Sequence, residues 1–477
     1  MPKFIQNLFS KNRLKKYMPK TNRQSLTNII FILLLCSPLI SFSYRGLTFA
    51  DTLDLKQVIE GAIQTSLQLR QYNYEINAAR YNKKVQLTAF YPSLQVKYDY
   101  MRRDEPTLQS LNFRENDVFE NNAVTNPLDE FQFIASFSQP VFSGFELENR
   151  YQISDIKVKI AQFSDDLIRQ NIILDAINGY FSLLKFGKLV RVAHDSLEQI
   201  GVQREIAFNM QQAGLISITD LLQSEAELAN ARQNLVTAQN NIKNAQYYLN
   251  SLLQKPLTNN IDIVDITSFS PFPLNLDDCL FSAMAERVEI KIADQDIEVA
   301  EKEYEISKKD RYPSVDLLGT YTRRGTDPMV DGGVGIGDKN VWNIHVAASW
   351  KLWDWGRTSN LMGEKDNRIL QARNVKQQLV DGITLEVREL YLKVTERMSA
   401  IEAAETAIEQ SRENFRIIKE KYSKQMVTMG EFLTAQTLLT QSLTSYYNAL
   451  YDFKISKAAL YRAMGKKDLN EYVESLR

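Results

Sequence analysis

His194 and His345 are the only histidines in the chain, 151 positions apart and in different expected elements, so they form no pair for acid–base or metal chemistry. No His-Glu-x-x-His, Walker-type glycine loop or Gly-x-Ser-x-Gly stands anywhere in the sequence. Gly332-Gly333-Val334-Gly335-Ile336-Gly337 contains a GxG pattern, but it lies between two expected strands and opens no helix, which argues against phosphate binding. Asp165-Asp166 and Asp277-Asp278 read as solvated helix charges. His345 falls on the polar face of its strand and is assigned no chemistry. Catalytic residues, cofactor sites and metal ligands are therefore expected to be absent. Lys plus Arg (57) nearly cancels Asp plus Glu (58), so no strong field argues for nucleic acid.

The question becomes what the elements are for. The N-terminus reads as an export signal. A basic stretch (Lys11, Arg13, Lys15, Lys16, Lys20, Arg23) precedes the apolar run Ile29 to Cys36, which resumes at Pro38-Leu39-Ile40. Thr48-Phe49-Ala50 offers small residues for a peptidase, so residues 1–50 are expected to leave before Asp51. A start at Met18 would give a signal of more usual length. Acylation at Cys36 is an alternative, opposed by the bulky Leu35. An uncleaved anchor is another, opposed by a run shorter than the ~20 residues that span a bilayer. With Cys36 removed, Cys279 stands alone, and neither an intrachain disulfide nor a cysteine metal cluster is possible. Beyond residue 50 no apolar run approaches spanning length, so a membrane crossing would need a closed β-barrel.

The rest of the chain is written twice. Phe90-Tyr91-Pro92-Ser93-Leu94 returns as Arg311-Tyr312-Pro313-Ser314-Val315, 221 positions on, and Arg102-Arg103 as Arg323-Arg324. From Phe131 the offset becomes 211, pairing Phe131 with Trp342, Phe142 with Trp353 and Leu222 with Leu433. One length change explains the switch, in loops expected at 104–129 and 325–340. The repeats are read as 51–285 and 286–477. Four segments alternate with period two, at about 93–103, 130–142, 314–324 and 341–353. Leu94, Val96, Tyr98 and Tyr100 form one apolar face, and Trp342, Ile344, Val346, Ala348, Trp350 and Leu352 another. Tyr100, Tyr321, Trp342 and Trp350 sit near segment ends, where an interfacial girdle would hold them. A soluble sandwich with one wet face would alternate in the same way. Four strands cannot close a barrel, which takes about eight.

Everything else reads as long helix. No proline interrupts Gly144 to Ala213, and a second helix runs from Ile218 to Leu253. There Leu228, Ala231, Leu235, Ala238, Ile242, Ala245, Leu249 and Leu252 recur at three–four spacing. The same register returns at Leu439, Ser442, Tyr446, Ala449, Phe453, Ser456, Leu460 and Ala463, the pattern of closely packed coiled coils. The proline-bearing region 254–285 is expected to be irregular, lying with the C-terminal tail around a waist.

Strand pair, long helix, short turn, long helix, all repeated, resembles the TolC-type outer-membrane efflux and secretion channel family. The resemblance covers nearly all of the mature chain. It rests on Tyr91-Pro92-Ser93-Leu94, Gln139-Pro140-Val141-Phe142-Ser143-Gly144, Ala213-Gly214-Leu215-Ile216-Ser217 with Asp220, and Glu431-Phe432-Leu433-Thr434-Ala435-Gln436. The family implies a mainly α fold with a membrane β-barrel. In it a homotrimer contributes four strands per chain to a 12-stranded barrel set in outer-membrane lipid, above a coiled-coil tunnel in the periplasm of a diderm bacterium. It implies tip turns at 214–217 and 427–430, engaged by a periplasmic adaptor attached to an inner-membrane pump. The adaptor-contact residues would be Gly214, Leu215, Ser217, Val427 and Thr428. Entrance acids of the family match Glu431 and Thr434, so one acid is kept, with Asp220 its counterpart in the first half. Either acid also suits a helix N-terminus. The implied function is passive conduction of drugs, metals or secreted proteins, without cofactor or catalysis. The competing reading is a periplasmic coiled-coil adaptor or structural protein with no membrane barrel. The pump would supply energy and much of the specificity, so cargo is not written in this chain.

Overall fold

A computed structural model describes residues 52–111, 121–466 and 473–474. The expected signal peptide at 1–50, with Cys36 and Met18, lies outside them. The chain begins with helices α1 (Leu55–Thr65) and α2 (Leu67–Thr88), then strands β1 (Ser93–Arg102), β2 (Thr107–Leu111), β3 (Asn121–Asn126) and β4 (Asp129–Phe142). Helices α3 (Glu146–Gln212), α4 (Ile218–Leu252), α5 (Leu276–Glu286) and α6 (Val288–Ser307) follow. After a 3₁₀ turn at Lys309–Arg311 come β5 (Ser314–Gly325), β6 (Asn340–Ser349), α7 (Arg357–Ser423) and α8 (Met429–Ala463).

Corresponding elements have matching lengths. The helices α3 and α7 have 67 residues each, α4 and α8 have 35 each, and α1 and α5 have 11 each. Leu276 follows Leu55, and Ser314 follows Ser93, by 221 positions; Arg357 follows Glu146, and Met429 follows Ile218, by 211. A 67-residue helix is about 100 Å long.

Three expectations need correction. The loop expected at 104–129 carries an antiparallel hairpin, β2 on β3. The last strand ends at Ser349, so Trp350 and Leu352 lie beyond it. Residues 254–275 are irregular, with Leu53 pairing parallel to Ile263, but the segment then turns helical in α5. Asn275 caps that helix by accepting from the Asp278 N–H at 2.8 Å, and Pro271 and Pro273 lie ahead of the cap, where they interrupt no helical hydrogen bond.

The sheet order is β1-β4-β5-β6, antiparallel throughout. The helices that continue these strands are packed in the same order, α2 on α3, α3 on α6 and α6 on α7. Ion pairs line the α6–α7 seam: Glu303 with Lys365 at 3.0 Å, Glu301 with Arg373 at 3.0 Å and Asp294 with Lys376 at 2.5 Å. Further from the sheet, α3 packs on α4 and α8, and α8 on α7. The two copies of the heptad seam are therefore not equivalent. On α8 Leu439, Ser442, Ala449, Phe453, Ser456, Leu460 and Ala463 are all buried, because a helix flanks it on either side. On α4 only Ala231, Ala245 and Leu249 of the seam are buried.

Where α1, α3, α4 and α8 converge, Tyr180, Phe181, Leu249 and Tyr451 form the centre of one core. Beside it, Arg287 stands between α5 and α6 and is only 4% exposed. Its guanidinium donates to Glu289 Oε1 at 2.8 Å, to Glu386 Oε2 at 2.5 Å and to the Ala463 carbonyl at 3.3 Å. Arg462 meets the same two carboxylates, at 3.0 Å and 3.5 Å, so two cations and two anions tie α6, α7 and α8 together. Burial by itself would raise the Glu289 carboxyl, but the Arg287 hydrogen bonds and the two guanidinium charges hold it below the usual carboxylate range. A lowered carboxyl contributes stability above its unfolded pKa and loses it as pH falls through the folded one. Arg287→Ala is expected to cost about 1–3 kcal/mol, because it takes two hydrogen bonds from half-buried Glu289 and leaves Arg462 as the remaining cation beside it. Wild type should lose stability on acidification more steeply than Glu289→Gln. Urea unfolding followed by circular dichroism from pH 7 to pH 3 checks both, and superimposable curves would remove this cluster from the stability account.

Candidate functional site

The two tip turns are built alike. At the first, Gly214 takes φ +71°, its N–H donates to the Gln211 carbonyl at 2.9 Å, and the Leu215 N–H reaches back to Met210 at 2.9 Å. This Schellman closure needs a left-handed residue just after the helix. At the second tip Gln425 fills that role with φ +58°; it donates to Tyr422 at 2.9 Å while Met426 donates to Lys421 at 3.0 Å. The turn is retained without its glycine, at a cost of about 1–2 kcal/mol of backbone strain.

Each turn then starts its return helix with a reciprocal capping box. Ser217 Oγ accepts from the Asp220 N–H at 3.3 Å, and Asp220 Oδ2 accepts from the Ser217 N–H at 3.3 Å and from its hydroxyl at 3.0 Å. Thr428 Oγ1 accepts from the Glu431 N–H at 3.2 Å, and Glu431 Oε2 accepts from the Thr428 N–H at 2.7 Å and its hydroxyl at 3.1 Å. Both acids thus hold a helix N-terminus. Thr434, at the position of the missing second acid, donates to the Gly430 carbonyl at 2.8 Å.

The structure brings the tips together. A cavity of about 290 Å³ lies between Leu215, Ser217 and Asp220 on one side and Gln425, Val427 and Thr428 on the other. Beneath it Phe415, Tyr422 and Phe432 pack with centroids 5.4–5.5 Å apart, joined by Leu221, Met429 and Leu433. Val427 is half-buried against this cluster, whereas Gly214, Leu215, Ser217 and Thr428 are exposed. The aromatic trio was not singled out from the sequence. Its signal was the heptad spacing of Phe415 and Tyr422, hidden within a long polar helix. His194 lies exposed on α3 beside Asp195 and Glu198, remote in sequence from either tip, and His345 stands opposite Leu318 in the sheet.

The sheet separates its faces in register. Leu94, Phe137, Gly319 and Ile344 form one cross-strand row, and Val96, Ala135, Tyr321 and Trp342 the next. On the opposite face run Gln95, Ser136, Thr320 and Asn343. The apolar rows are open to solvent, with Leu94 81% and Trp342 72% exposed. The outer edges of β1 and β6 have no strand partner among the described residues. No helix of the described residues is long and apolar enough to cross a membrane.

The sequence profile of the family described as outer membrane efflux protein matches residues 58–254 and again 280–466. The chain belongs to that family. As a member it is an outer-membrane channel of the TolC type, extending into the periplasm, and not an enzyme. The outer membrane protein TolC of Escherichia coli (strain K12) is 21% identical over 444 residues, which cover 91% of this chain and 86% of TolC. The outer membrane efflux protein BepC of Brucella suis biovar 1 is 21% identical over 341 residues, 69% of this chain and 71% of BepC. Among solved structures, the CmeC outer membrane channel of Campylobacter jejuni shares the fold with a TM-score of 0.73 at 14% identity, over 88% of this chain and 89% of CmeC.

The tip geometry predicts opposite signs for two small substitutions. Gln425→Gly should protect the second tip by about 1 kcal/mol, whereas Gly214→Ala should loosen the first by a similar amount. Amide hydrogen exchange of Met426 and Leu215, whose N–H groups close the turns, reads each effect locally. Equal exchange in wild type and variants would mean that the left-handed residues carry no strain.

Proposed function

We propose that three copies of this chain close into one 12-stranded barrel above a helical tunnel. The assembly conducts cargo passively to the exterior from an inner-membrane pump joined to it by a periplasmic adaptor. One observation carries this reading: a four-stranded sheet with an exposed apolar face and, among the described residues, a free edge on either side. A sheet edge in hydrocarbon leaves N–H and C=O groups unpaired, so only closure with further strands makes insertion favourable. The four strands also set this chain apart from the adaptor reading, which calls for no such sheet. Drugs, metals and secreted proteins all remain cargo for this conduit.

The two matching halves support a division into repeats read as 51–285 and 286–477. The pairing of α1 with α5 at the 221 offset favours a boundary just ahead of Leu276. Gly214, Leu215, Ser217, Val427 and Thr428 are proposed to meet the adaptor, since they form the ends of both long hairpins. Glu431, with Asp220 as its first-half counterpart, is proposed to set the charge of the entrance.

The channel reading predicts heat-modifiable trimers in the outer-membrane fraction; a soluble periplasmic monomer would sink it. For the entrance, Glu431→Gln removes the charge while leaving an acceptor for the Thr428 N–H, since glutamine serves in a capping box. Its cation-to-anion permeability ratio in planar bilayers should fall from that of wild type. An unchanged ratio would leave Glu431 only its helix-end role.

A further inference from the structure

Near the sheet, far from the tips, the four-helix layer carries a cavity of about 380 Å³. Asn82 and Gln86 of α2, Arg150 and Lys157 of α3, Glu303 of α6 and Lys365 of α7 line it. In the packing order α2, α3, α6, α7, the helices α2 and α7 are the outer two. A cavity lined by side chains of both outer helices fits the concave side of a curved layer better than the convex side, where they would splay apart. In a ring of three such layers the concave side is the lumen. Lys157 stands 11 residues into α3, about 16 Å from its start just after β4, so the cavity lies at the barrel end of the tunnel.

The lining is cationic. Lys365 sits 3.0 Å from Glu303, and Arg150 2.7 Å from Glu146, which also takes Lys309 at 2.7 Å. Among the lining charges, Arg150, Lys157 and Lys365 stand against the single carboxylate of Glu303, while Glu146 and Lys309 outside the lining offset each other. Lys157 is exposed and makes no hydrogen bond or ion pair among the described residues. Asn82 and Gln86 add amide donors. A surplus of positive charge beside neutral N–H donors is the recognition chemistry of an anion.

Resting on the trimeric-channel reading above, we propose that this cavity is an anion-binding station in the lumen, for solutes bearing a carboxylate, sulfate or phosphate group. Threefold repetition gives a ring with two surplus positive charges per protomer. The tip acids lie at the other end of a helix about 100 Å long, well beyond the roughly 10 Å over which salt screens charge, so the two ends act independently.

The test uses full-length trimers in planar bilayers, with sodium sulfate added on the barrel side as the probe. Sulfate should reduce the potassium chloride conductance of wild type. Lys157→Gln should raise the half-blocking sulfate concentration about fivefold, one charge contact of about 1 kcal/mol in water. Lys157→Glu should abolish block, and Lys157→Arg should retain it. Because Lys157 is exposed and unpaired among the described residues, trimers should form normally, which heat-modified migration checks. Absence of sulfate block in conducting wild type, or equal block in wild type and Lys157→Glu, overturns the station. Wild-type trimers that never conduct overturn the channel reading itself.

Discussion

The backbone groups along the outer edges of β1 and β6 are the constraint on which the rest depends. Each of these strands has ten residues, and about half of its N–H and C=O groups point away from its single partner. In hydrocarbon each unpaired group costs several kcal/mol, so two open edges together cost tens. That exceeds the roughly 5–15 kcal/mol by which a folded domain is stable. A lone copy of this sheet therefore cannot rest in a bilayer. The helices inherit the demand, because β1, β4, β5 and β6 continue directly into α2, α3, α6 and α7 in one spatial order. Any arrangement that pairs the sheet edges also carries α7 of one copy toward α2 of the next.

Duplication supplies the repeated plan, but neighbours decide what each copy becomes. On α8 the seam is enclosed because helices flank it on both sides; on α4 the equivalent seam is half open, with Leu222 and Val236 exposed beyond it. The junctions from strand to long helix show the same freedom. Each uses two successive left-handed residues, Gly144 and Phe145 in one half and Trp355 and Gly356 in the other. The glycine comes first in one and second in the other. At Gly144 the choice is forced, since a Cβ there would stand 2.6 Å from the Lys309 carbonyl oxygen.

Features that repeat over many residues were legible in the sequence, and features made by one contact were not. The doubled offset, the period-two faces and the heptad register were visible because each is written several times. The β2–β3 hairpin was hidden because Thr107–Leu111 and Asn121–Asn126 are short, and four of the second strand's six residues are polar. Helix α5 was masked by Pro271 and Pro273 just ahead of it. Arg287 looks in the sequence like any surface arginine beside a glutamate, since Glu386 reaches it from 99 positions away and Arg462 joins through Glu289 from 173 positions beyond that residue. At Gln425 no glycine marks the second turn, which survives because two backbone hydrogen bonds hold it closed.

At the tips, the capping role of Glu431 and its proposed pore role are coupled rather than exclusive. The Glu431 carboxylate accepts from both the N–H and the hydroxyl of Thr428. The N-terminus of α8 beneath it carries about half a positive charge. Three copies around an axis would then present an effective charge near −1.5 instead of −3, which lowers the mutual repulsion that a narrow ring must bear. The same hydrogen bonds fix the side chain against the end of a rigid helix, so the ring would keep its geometry as ions pass. Asp220 is capped identically by Ser217 and has the same partial neutralisation available to it. Thr434 forgoes a charge and turns its hydroxyl to the backbone. In the proposed trimer, one capped acid per return helix would make a ring of moderated charge, attracting cations without binding them so tightly that passage stops.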